Sequence, residues 1–371
     1  MIYLDYNAST PLDPRVFAAM TPFFSEEWAN PSSPYEFAKK PATAIEKARN
    51  HVAYLIGAQP EEIIFTSGAT ESNQTILQSV LPTNAQQTIV TTSVEHKSVL
   101  EALKEVKKVH KLSIDNSGLI DLEELEDICG SEQVTLVSII WANNETGVIS
   151  DIQSIAKLCD KYNIPFHTDA VQASGKLKID VQETPIDYLS LSSYKIFGPK
   201  GVGATYVRTG SPYKPMIAGS QEQARRGGTE AVPLIVGFGK AAELAANDLP
   251  ERIKHTKQVR DLLEQSIQQQ IPDTYINGNR ERRLTNTTNI GFRGIDSDVL
   301  IQLLSREGIM VSNGSACTSS ALTPSHVLLA MGKSHDEANE AIRFSLSHIT
   351  REDEVIRTVE TLKDIVTSIR R

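Results

Sequence analysis

The stretch NIPFHTDAVQASGKLKIDVQETPIDYLSLSSYKIFGPKGVG, residues 163–203, is the most informative part of the sequence. It holds two short apolar strand patterns, the first ending at Asp169 and the second, residues 186–191, leading through Ser192 to Lys195. A strand-end acid and a lysine on the next loop are the pair that pyridoxal phosphate (PLP) chemistry requires. The lysine holds the cofactor as a Schiff base, and the acid keeps the pyridine nitrogen protonated. The stretch therefore predicts a PLP site.

Outside this stretch, short β-rich runs alternate with helical patterns along most of the chain. Residues 41–56 place apolar side chains on one helical face and end at Gly57, a natural C-cap. Residues 151–162 form a similar pattern that begins at Asp151, a good N-cap. The alternation predicts an α/β fold with a mostly parallel sheet and helices on both faces. The β-rich runs are EEIIFTSG, QTIVTTSV, VTLVSII, NIPFHTDA, IDYLSLS and VGATYVR.

The character of the sequence changes near residue 250. Residues 251–270 form a polar helical pattern, consistent with a helix that links two lobes. A second α/β pattern follows, comprising TNTTNIGF, DSDVLIQLLSREG, IMVSN, AIRFSLS and a closing helix from about Arg351. We expect a large domain at residues 13–250 and a smaller α/β domain formed by residues 1–12 and 251–371.

Composition excludes several classes of protein. A chain of 371 residues is too long for one simple core, and its net charge of −9 argues against a broad nucleic-acid-binding surface. No window reaches 18 uninterrupted apolar residues, so no membrane span is expected. The start, MIYLDYNASTPLD, does not resemble a secretory signal, so none is expected. Three scattered cysteines, Cys129, Cys159 and Cys317, indicate a reducing cytoplasm rather than a disulfide scaffold.

The lysine and the acid each have an ordinary alternative. Most lysines are solvated at the surface, and Lys200, five residues after Lys195, competes for the role, although its place in a tight turn favours solvation. Asp169 is also a candidate helix cap. Gln172 either donates to the phenolic oxygen of the cofactor or faces solvent. His167 shares a strand face with Asp169, but metal binding has little support without further ligand-type residues nearby.

Residues 66–72, TSGATES, form a strand–turn–helix junction rich in hydroxyl groups. Main-chain N–H groups at the helix start, together with the hydroxyls of Ser67 and Thr70, predict a phosphate cradle, and Ser192 offers another donor. Taken alone, serine or threonine at a helix start is usually only a cap. The junction lacks the lysine of a nucleotide P-loop, so ATP binding is not supported.

Three further residues suit chemistry on an amino acid. His96 follows a strand, where an imidazole ring can stack on the cofactor or move protons. Arg343 interrupts an apolar strand, and its planar fork suits a carboxylate. Cys317 lies among small and turn-forming residues, which suits an accessible nucleophile and sulfur carrier, whereas Cys129 and Cys159 have helical settings typical of core positions.

Together these segments resemble the cysteine desulfurases of the class-V aminotransferase group, specifically the NifS/IscS-like group I enzymes. The resemblance covers nearly the whole chain, and its specificity comes from ten motifs in the family's order. They are YLDYNASTPLDPRV, NPSSPYEFA, EEIIFTSGATES, VEHKSV, NNETGV, HTDAVQASGKL, SSYKIFGPKGVGATYVR, RRGGTEAVP, NGSACTSS and AIRFSL.

The resemblance implies a PLP-dependent homodimer of fold type I that converts L-cysteine to L-alanine and leaves a persulfide on Cys317. It implies that Lys195 holds the cofactor, that Cys317 attacks the substrate sulfur, and that His96 stacks on the ring and assists proton transfer. Asn144 and Arg343 would position the substrate. The cofactor would be bound by Ala69, Thr70, Asp169, Gln172, Ser192 and, from the other subunit, Thr229.

One position departs from the family. Tyr194 stands immediately before the lysine, where the family usually carries a phosphate-binding histidine, and a phenol donates a hydrogen bond without being cationic. Selenocysteine lyase and another PLP-dependent β-elimination stay open as alternatives. The presence of Lys195, Asp169 and Cys317 argues against a third alternative, a catalytically idle scaffold partner. The sulfur acceptor also stays open: an iron–sulfur scaffold, a tRNA thiolation enzyme or a DNA phosphorothioation system. Whether Cys317 presents its persulfide to a metal cluster on a partner protein also stays open.

Overall fold

The computed structural model describes residues 1–314 and 324–371, so Cys317 lies outside the described residues. Twelve strands in three sheets occur within those ranges. They are β1 (Ile2–Tyr3), β2 (Ile63–Thr66), β3 (Gln87–Thr92), β4 (Val109–Leu112), β5 (Gln133–Ser138), β6 (Phe166–Asp169), β7 (Tyr188–Ser192), β8 (Gly203–Val207), β9 (Thr274–Asn277), β10 (Thr287–Phe292), β11 (Ile309–Met310) and β12 (Ala341–Ser345).

Helical segments separate most of these strands. Those of the first 250 residues are α1 (Pro14–Met20), α2 (Pro22–Ser25), α3 (Lys39–Ile56), α4 (Ala69–Ser79), α5 (Lys97–Ala102), α6 (Leu122–Ser131), α7 (Ile152–Lys161), α8 (Gln221–Ala224), α9 (Val232–Asn247) and the start of α10 (Leu249–Gln270). Later ones are α11 (Ser297–Arg306), α12 (His326–Ala330), α13 (His335–Asn339) and α14 (Glu352–Ile369). Among the described residues, no helix combines the length and apolarity that crossing a bilayer needs.

The central sheet has seven strands in the order β2-β8-β7-β6-β5-β3-β4. The four neighbouring pairs β7–β6, β6–β5, β5–β3 and β3–β4 are parallel. Strand β8 runs antiparallel to both of its neighbours, β7 and β2. The mostly parallel sheet predicted from the sequence is confirmed, with β8 as the reversed strand. Because β3, β5, β6 and β7 point the same way, the loops after their carboxyl ends lie along one edge, where open α/β sheets bind ligands.

Helices cover both faces of this sheet, as the alternation predicted. Alternate strand residues enter different hydrophobic clusters, since Val137 of β5 packs with α3 and α7 whereas its neighbour Leu136 packs with α4 and α5. The predicted ends of two helices are also confirmed. Gly57 follows α3 with φ 71°, and the carboxylate of Asp151 accepts a hydrogen bond from the main-chain N–H of Ser154 at the start of α7.

A second hydrophobic cluster forms around the three-stranded sheet β12-β10-β9 and the helices α10, α11 and α14. The N-terminal segment belongs to this cluster, because Ile2 and Leu4 are buried in it and β1 pairs in parallel with β11. Beyond β1, Asp5 forms a parallel bridge with Ser345 at the end of β12. The first residues of the chain therefore run beside β12 toward the edge of the large sheet.

Candidate active site

A cavity of about 430 Å³ lies between the carboxyl edge of the large sheet and the small sheet. This volume is within the usual range for small-molecule sites. The cavity gathers side chains that are far apart in sequence: Ala69, Thr70, His96, Asn144, Asp169, Gln172, Ser192, Tyr194, Lys195 and Arg343. They are ten of the twelve site residues that were predicted from the sequence. The other two are Cys317, which lies outside the described residues, and Thr229, which is exposed and does not line this cavity.

Lys195 ends a 3₁₀ turn that directly follows β7, so its amine reaches the sheet edge. Its Nζ donates to two main-chain oxygens of the N-terminal segment, that of Asn7 at 2.5 Å and that of Ala8 at 2.8 Å. The ring of Tyr194 lies 4.5 Å from the same nitrogen, measured to the ring centre. The competing lysine, Lys200, is exposed. Lys195 is therefore the amine that the fold directs into the cavity.

Asp169 ends β6, next to β7 in the sheet, and is only 4% exposed. Its Oδ1 accepts from the main-chain N–H of Val171 at 3.0 Å, so the carboxylate also caps the following turn, which was the alternative considered for it. Its Oδ2 accepts from Nδ2 of Asn73 at 2.9 Å. The same Asn73 nitrogen donates to Ser98 Oγ at 2.8 Å, and this hydroxyl lies 2.8 Å from Nδ1 of His96.

The imidazole of His96 is oriented by its own helix. His96 is the N-cap of α5, and its Nδ1 accepts from the main-chain N–H of Ser98 at 3.2 Å. In a neutral ring that accepts at Nδ1, the proton sits on Nε2. The chain of contacts from Asp169 through Asn73 and Ser98 thus fixes the carboxylate and the imidazole together.

The turn between β2 and α4 provides a place for a phosphate. The first N–H groups of a helix have no intrahelical acceptor, and Gly68, which precedes the 11-residue helix α4, has no side chain to cap them. The turn is held by Glu71, whose carboxylate accepts from the N–H of Ser67 at 2.7 Å and pairs with Arg226. Ser192 lies beside the turn in the same cavity.

Arg343 enters the cavity from β12. It is buried, and its two terminal nitrogens donate to the main-chain oxygen of Asn144 at 3.0 Å and to Asp5 at 2.5 Å. Its Nε has no hydrogen-bond partner among the residues that the structure describes. An unsatisfied buried donor on a guanidinium fork suits an incoming carboxylate.

Metal binding has no support in the described ranges, which contain no group of three or more potential metal ligands. The two ring nitrogens of His167 lie at hydrogen-bonding distance from Ser138 Oγ (2.8 Å) and Ser190 Oγ (3.2 Å). Burial lowers the pKa of His167 to about 3, so the ring is neutral and structural. The cavity instead fits PLP, because it combines an amine, a buried carboxylate and an uncapped helix start.

The residues in and around the site that sequence reasoning missed include Asn7, Asn73 and Lys176. Asn73 sits one helical turn after Thr70, which was a usable signal, because positions i and i+3 share a helix face. Lys176 lies four residues after Gln172, yet its segment forms turns, so no periodicity predicts its direction. Asn7 is held at the site by long-range contacts such as the bond from its main-chain N–H to Ser345 Oγ, which no local pattern reveals.

The comparisons with known proteins identify the family of this chain. The family model described as aminotransferase class-V matches residues 2–357. "Cysteine desulfurase 2" of Trichormus variabilis is 43% identical and covers 100% of this chain and 94% of its own length. A solved structure titled NifS-like protein has a TM-score of 0.92 at 38% identity, covering 99% of both chains. A structure titled "SspA in complex with cysteine" has a TM-score of 0.83 at 37% identity, covering 93% of this chain and 99% of that one.

Proposed function

This chain belongs to the class-V aminotransferase family, and from that premise we propose that it is a cysteine desulfurase with PLP as its cofactor. It removes sulfur from L-cysteine, gives L-alanine and leaves the sulfur as a persulfide on Cys317. One observation carries the proposal: a single cavity holds the amine of Lys195, the carboxylate of Asp169 and the guanidinium of Arg343, and is lined by Gly314, three residues before Cys317. Cysteine rather than selenocysteine is the substrate that the relatives' names favour.

When bound, PLP would supply electron withdrawal from the α-carbon of the substrate, which would weaken the Cβ–Sγ bond once the α-proton has left. Asp169 would hold the proton on the pyridine nitrogen, and Gln172 would donate to the phenolic oxygen. His96 would stack on the ring, and Lys195 and His96 would move protons to and from the substrate carbons. The guanidinium of Arg343 binds the substrate carboxylate beside Asn144.

Sulfur transfer requires the thiolate of Cys317. It attacks the substrate sulfur and forms an S–S bond while the Cβ–Sγ bond breaks, and Cβ takes a proton to become the methyl group of alanine. The other thiols are unsuited to this task, because burial raises the pKa of Cys129 to about 11 and raises that of Cys159 further. A thiol with a raised pKa has little thiolate near neutral pH.

The phosphate site is shared in our proposal between two copies of the chain. Ala69, Thr70, Ser192 and Tyr194 bind the phosphate from one protomer, and Thr229 reaches it from the partner. The exposed position of Thr229 outside its own cavity supports this arrangement. We further propose a large domain at 13–250 and a small one at 1–12 and 251–371, supported by the separate hydrophobic cluster that includes Ile2.

The enzyme acts in the cytoplasm and passes its sulfur to an acceptor protein. An iron–sulfur scaffold is the first candidate, because solved relatives carry the NifS name. Tracing labelled sulfur from Cys317 onto captured partners identifies the acceptor. Such a label also shows whether a tRNA thiolation or DNA phosphorothioation partner takes it instead.

Incubation of the purified, PLP-loaded protein with L-cysteine tests the central claim. We expect alanine and a protein-bound persulfide in the wild type, and no persulfide in Cys317→Ser, which should keep its yellow colour. Cys129→Ala is the matched control, because that thiol is buried and should be dispensable. Persulfide formation at the wild-type rate in Cys317→Ser would remove the role given to Cys317.

A further inference from the structure

A second lysine lies beside the proposed cofactor site, and the mechanism above does not use it. Lys176 is partly buried in the turns after β6. Its Nζ donates to Oε1 of Gln172 at 2.6 Å and to Oδ1 of Asn7 at 3.4 Å. Asn7 Oδ1 in turn accepts from Nδ2 of Asn286 at 3.0 Å, so the acceptor is itself held in place.

These contacts determine which way the amide of Gln172 faces. An ammonium group can only donate, so the atom of Gln172 that meets Lys176 must be its oxygen. The amide nitrogen then faces the main-chain oxygen of Asn7 at 3.0 Å, the same oxygen that accepts from Nζ of Lys195 at 2.5 Å. One N–H of the amide is used by Asn7, and the other is the donor that the proposed function places against the cofactor.

We propose that Lys176 is a positioning residue, whose ammonium group holds the Gln172 amide with its nitrogen toward the phenolic oxygen of the cofactor. This inference rests on the proposed function, because the phenolic oxygen belongs to PLP. Lys176 acts through another side chain, that of Gln172. Without the ammonium, the amide can turn over and present its oxygen to the phenolic oxygen, which removes a donor and adds a repulsion.

The local charges support an electrostatic role for Lys176. Burial, followed by the positive charges of Lys195 and Arg343, lowers the pKa of Lys176 to about 7. These two cations are the charged groups that act on it among the described residues. Bound PLP would bring an anionic phosphate and an ionisable phenolic oxygen to the cavity, and both would favour the ammonium form of Lys176 in the loaded enzyme.

The test uses the visible absorption of the PLP-loaded protein as a function of pH. A donor to the phenolic oxygen favours its ionised form, and a nearby cation disfavours a protonated cofactor nitrogen. We therefore expect Lys176→Met to raise the pH midpoint of the absorption change by about 1 unit and to weaken PLP binding several-fold. Lys176→Arg keeps the charge and should restore most of the midpoint.

A double substitution separates action through Gln172 from a direct charge effect. If Lys176 acts through the amide, Lys176→Met combined with Gln172→Ala should have the midpoint of Gln172→Ala alone, because there is no amide left to orient. Additive shifts, or a wild-type midpoint in Lys176→Met, overturn the inference. Lys178→Met is the matched control, since Lys178 lies two residues away and its side chain is 76% exposed.

The outcomes also distinguish this inference from the proposed function. A wild type that binds no PLP defeats the proposed function itself, whereas a yellow wild type with an unchanged Lys176→Met variant defeats only the positioning role. If Lys176→Met does not fold, Lys176→Gln replaces it in every comparison, because it also lacks the charge and leaves a polar group at the site.

Discussion

Glu95 is the buried neighbour of His96, and only half of its carboxyl group is satisfied. Oε1 accepts from the hydroxyl of Thr92 at 2.8 Å and from the main-chain N–H of Ile140 at 2.9 Å. Oε2 has no hydrogen-bond partner within the described part of the chain. Burial, with a smaller contribution from the charge of Asp169, raises the pKa of Glu95 to about 8. The folded protein thus keeps this group neutral at pH 7.

Glu95 should make the protein less stable as pH rises. Between its ordinary pKa of 4.5 and about 8, folded Glu95 holds a proton that the unfolded chain has lost, so the free energy of unfolding falls with pH. We expect Glu95→Gln to gain stability relative to the wild type across pH 5–8, measured by urea unfolding at several pH values. Glu61→Gln, at an exposed position, should show no such trend. A constant difference between Glu95→Gln and wild type contradicts the raised pKa.

The position of Lys195 in the fold determines its chemical role, as burial determines the protonation of Glu95. We expect Lys195→Ala to fold and to lose the visible band of covalently held PLP, because its amine is the one aimed into the cavity. Absorption spectra after addition of PLP and dialysis measure this loss. Lys200→Ala, from the exposed turn beside it, should keep the band. A yellow Lys195→Ala protein would show that another amine holds the cofactor.

At the scale of elements, α8 is a turn of unusual handedness. Glu222, Gln223 and Ala224 all have positive φ, at 49°, 58° and 61°. Each such residue costs roughly 1–2 kcal/mol, so the turn needs strong anchors. Arg49 binds both carboxylate oxygens of Glu222 at 2.7 and 2.8 Å, and the main-chain N–H of Phe65 donates to the same carboxylate at 2.9 Å. Phe65 lies on β2, which leads into the phosphate turn.

Removing this anchor should be costly. We expect Glu222→Ala to destabilise the protein by about 3–5 kcal/mol, because it leaves the buried Arg49 without its main partner. Glu46→Ala removes a carboxylate that touches the same guanidinium but whose side chain is 63% exposed, and should cost at most about 1 kcal/mol. Chemical unfolding of both variants measures the contrast, and equal losses would contradict the anchoring role.

The reversed strand β8 packs tightly against the phosphate turn. A Cβ on Gly203 would lie 2.6 Å from the main-chain oxygen of Leu191 and 2.7 Å from Cα of Gly68. We expect Gly203→Ala to push the turn aside and weaken PLP binding at least tenfold, measured by titration of the apoprotein. Gly130→Ala in α6 is the control, because its Cβ would meet only ordinary contacts at 3.5 Å with Tyr162. Unchanged PLP affinity in Gly203→Ala would contradict this packing argument.

At the scale of the whole molecule, the proposed dimer makes a prediction about mixed protomers. Lys195→Ala and Thr229→Ala homodimers should each bind PLP poorly. A mixed dimer, with one protomer of each kind, should regain one intact site, because its functional Lys195 faces the unaltered Thr229 of the other protomer. Differently tagged protomers and a count of PLP per purified dimer measure this. No recovery in the mixed dimer means that Thr229 does not act across the interface.

The sequence predicted the sheet and most of the site because those features depend on local patterns. Asp169 and Lys195 each follow a buried strand, and neighbouring parallel strands bring their ends together without further information. The reversed direction of β8 depends on how a Gly/Pro turn bends the chain, which apolar periodicity does not report. Lys176 and Asn7 were not predicted for a similar reason. Lys176 lies in a series of turns, and Asn7 pairs with a residue more than 300 positions away.

The pairing of the N-terminal segment determines when the site is completed during synthesis. The main-chain N–H groups of Leu4 and Tyr6 bond to the oxygens of Met310 and Ser345, so residues that leave the ribosome first find their partners last. Domains generally fold in the order in which they are made. Here the large sheet can form before the segment that receives the lysine amine is held beside β12. We therefore expect loading of the vitamin B6 derivative to be a late event, after translation of the last strand.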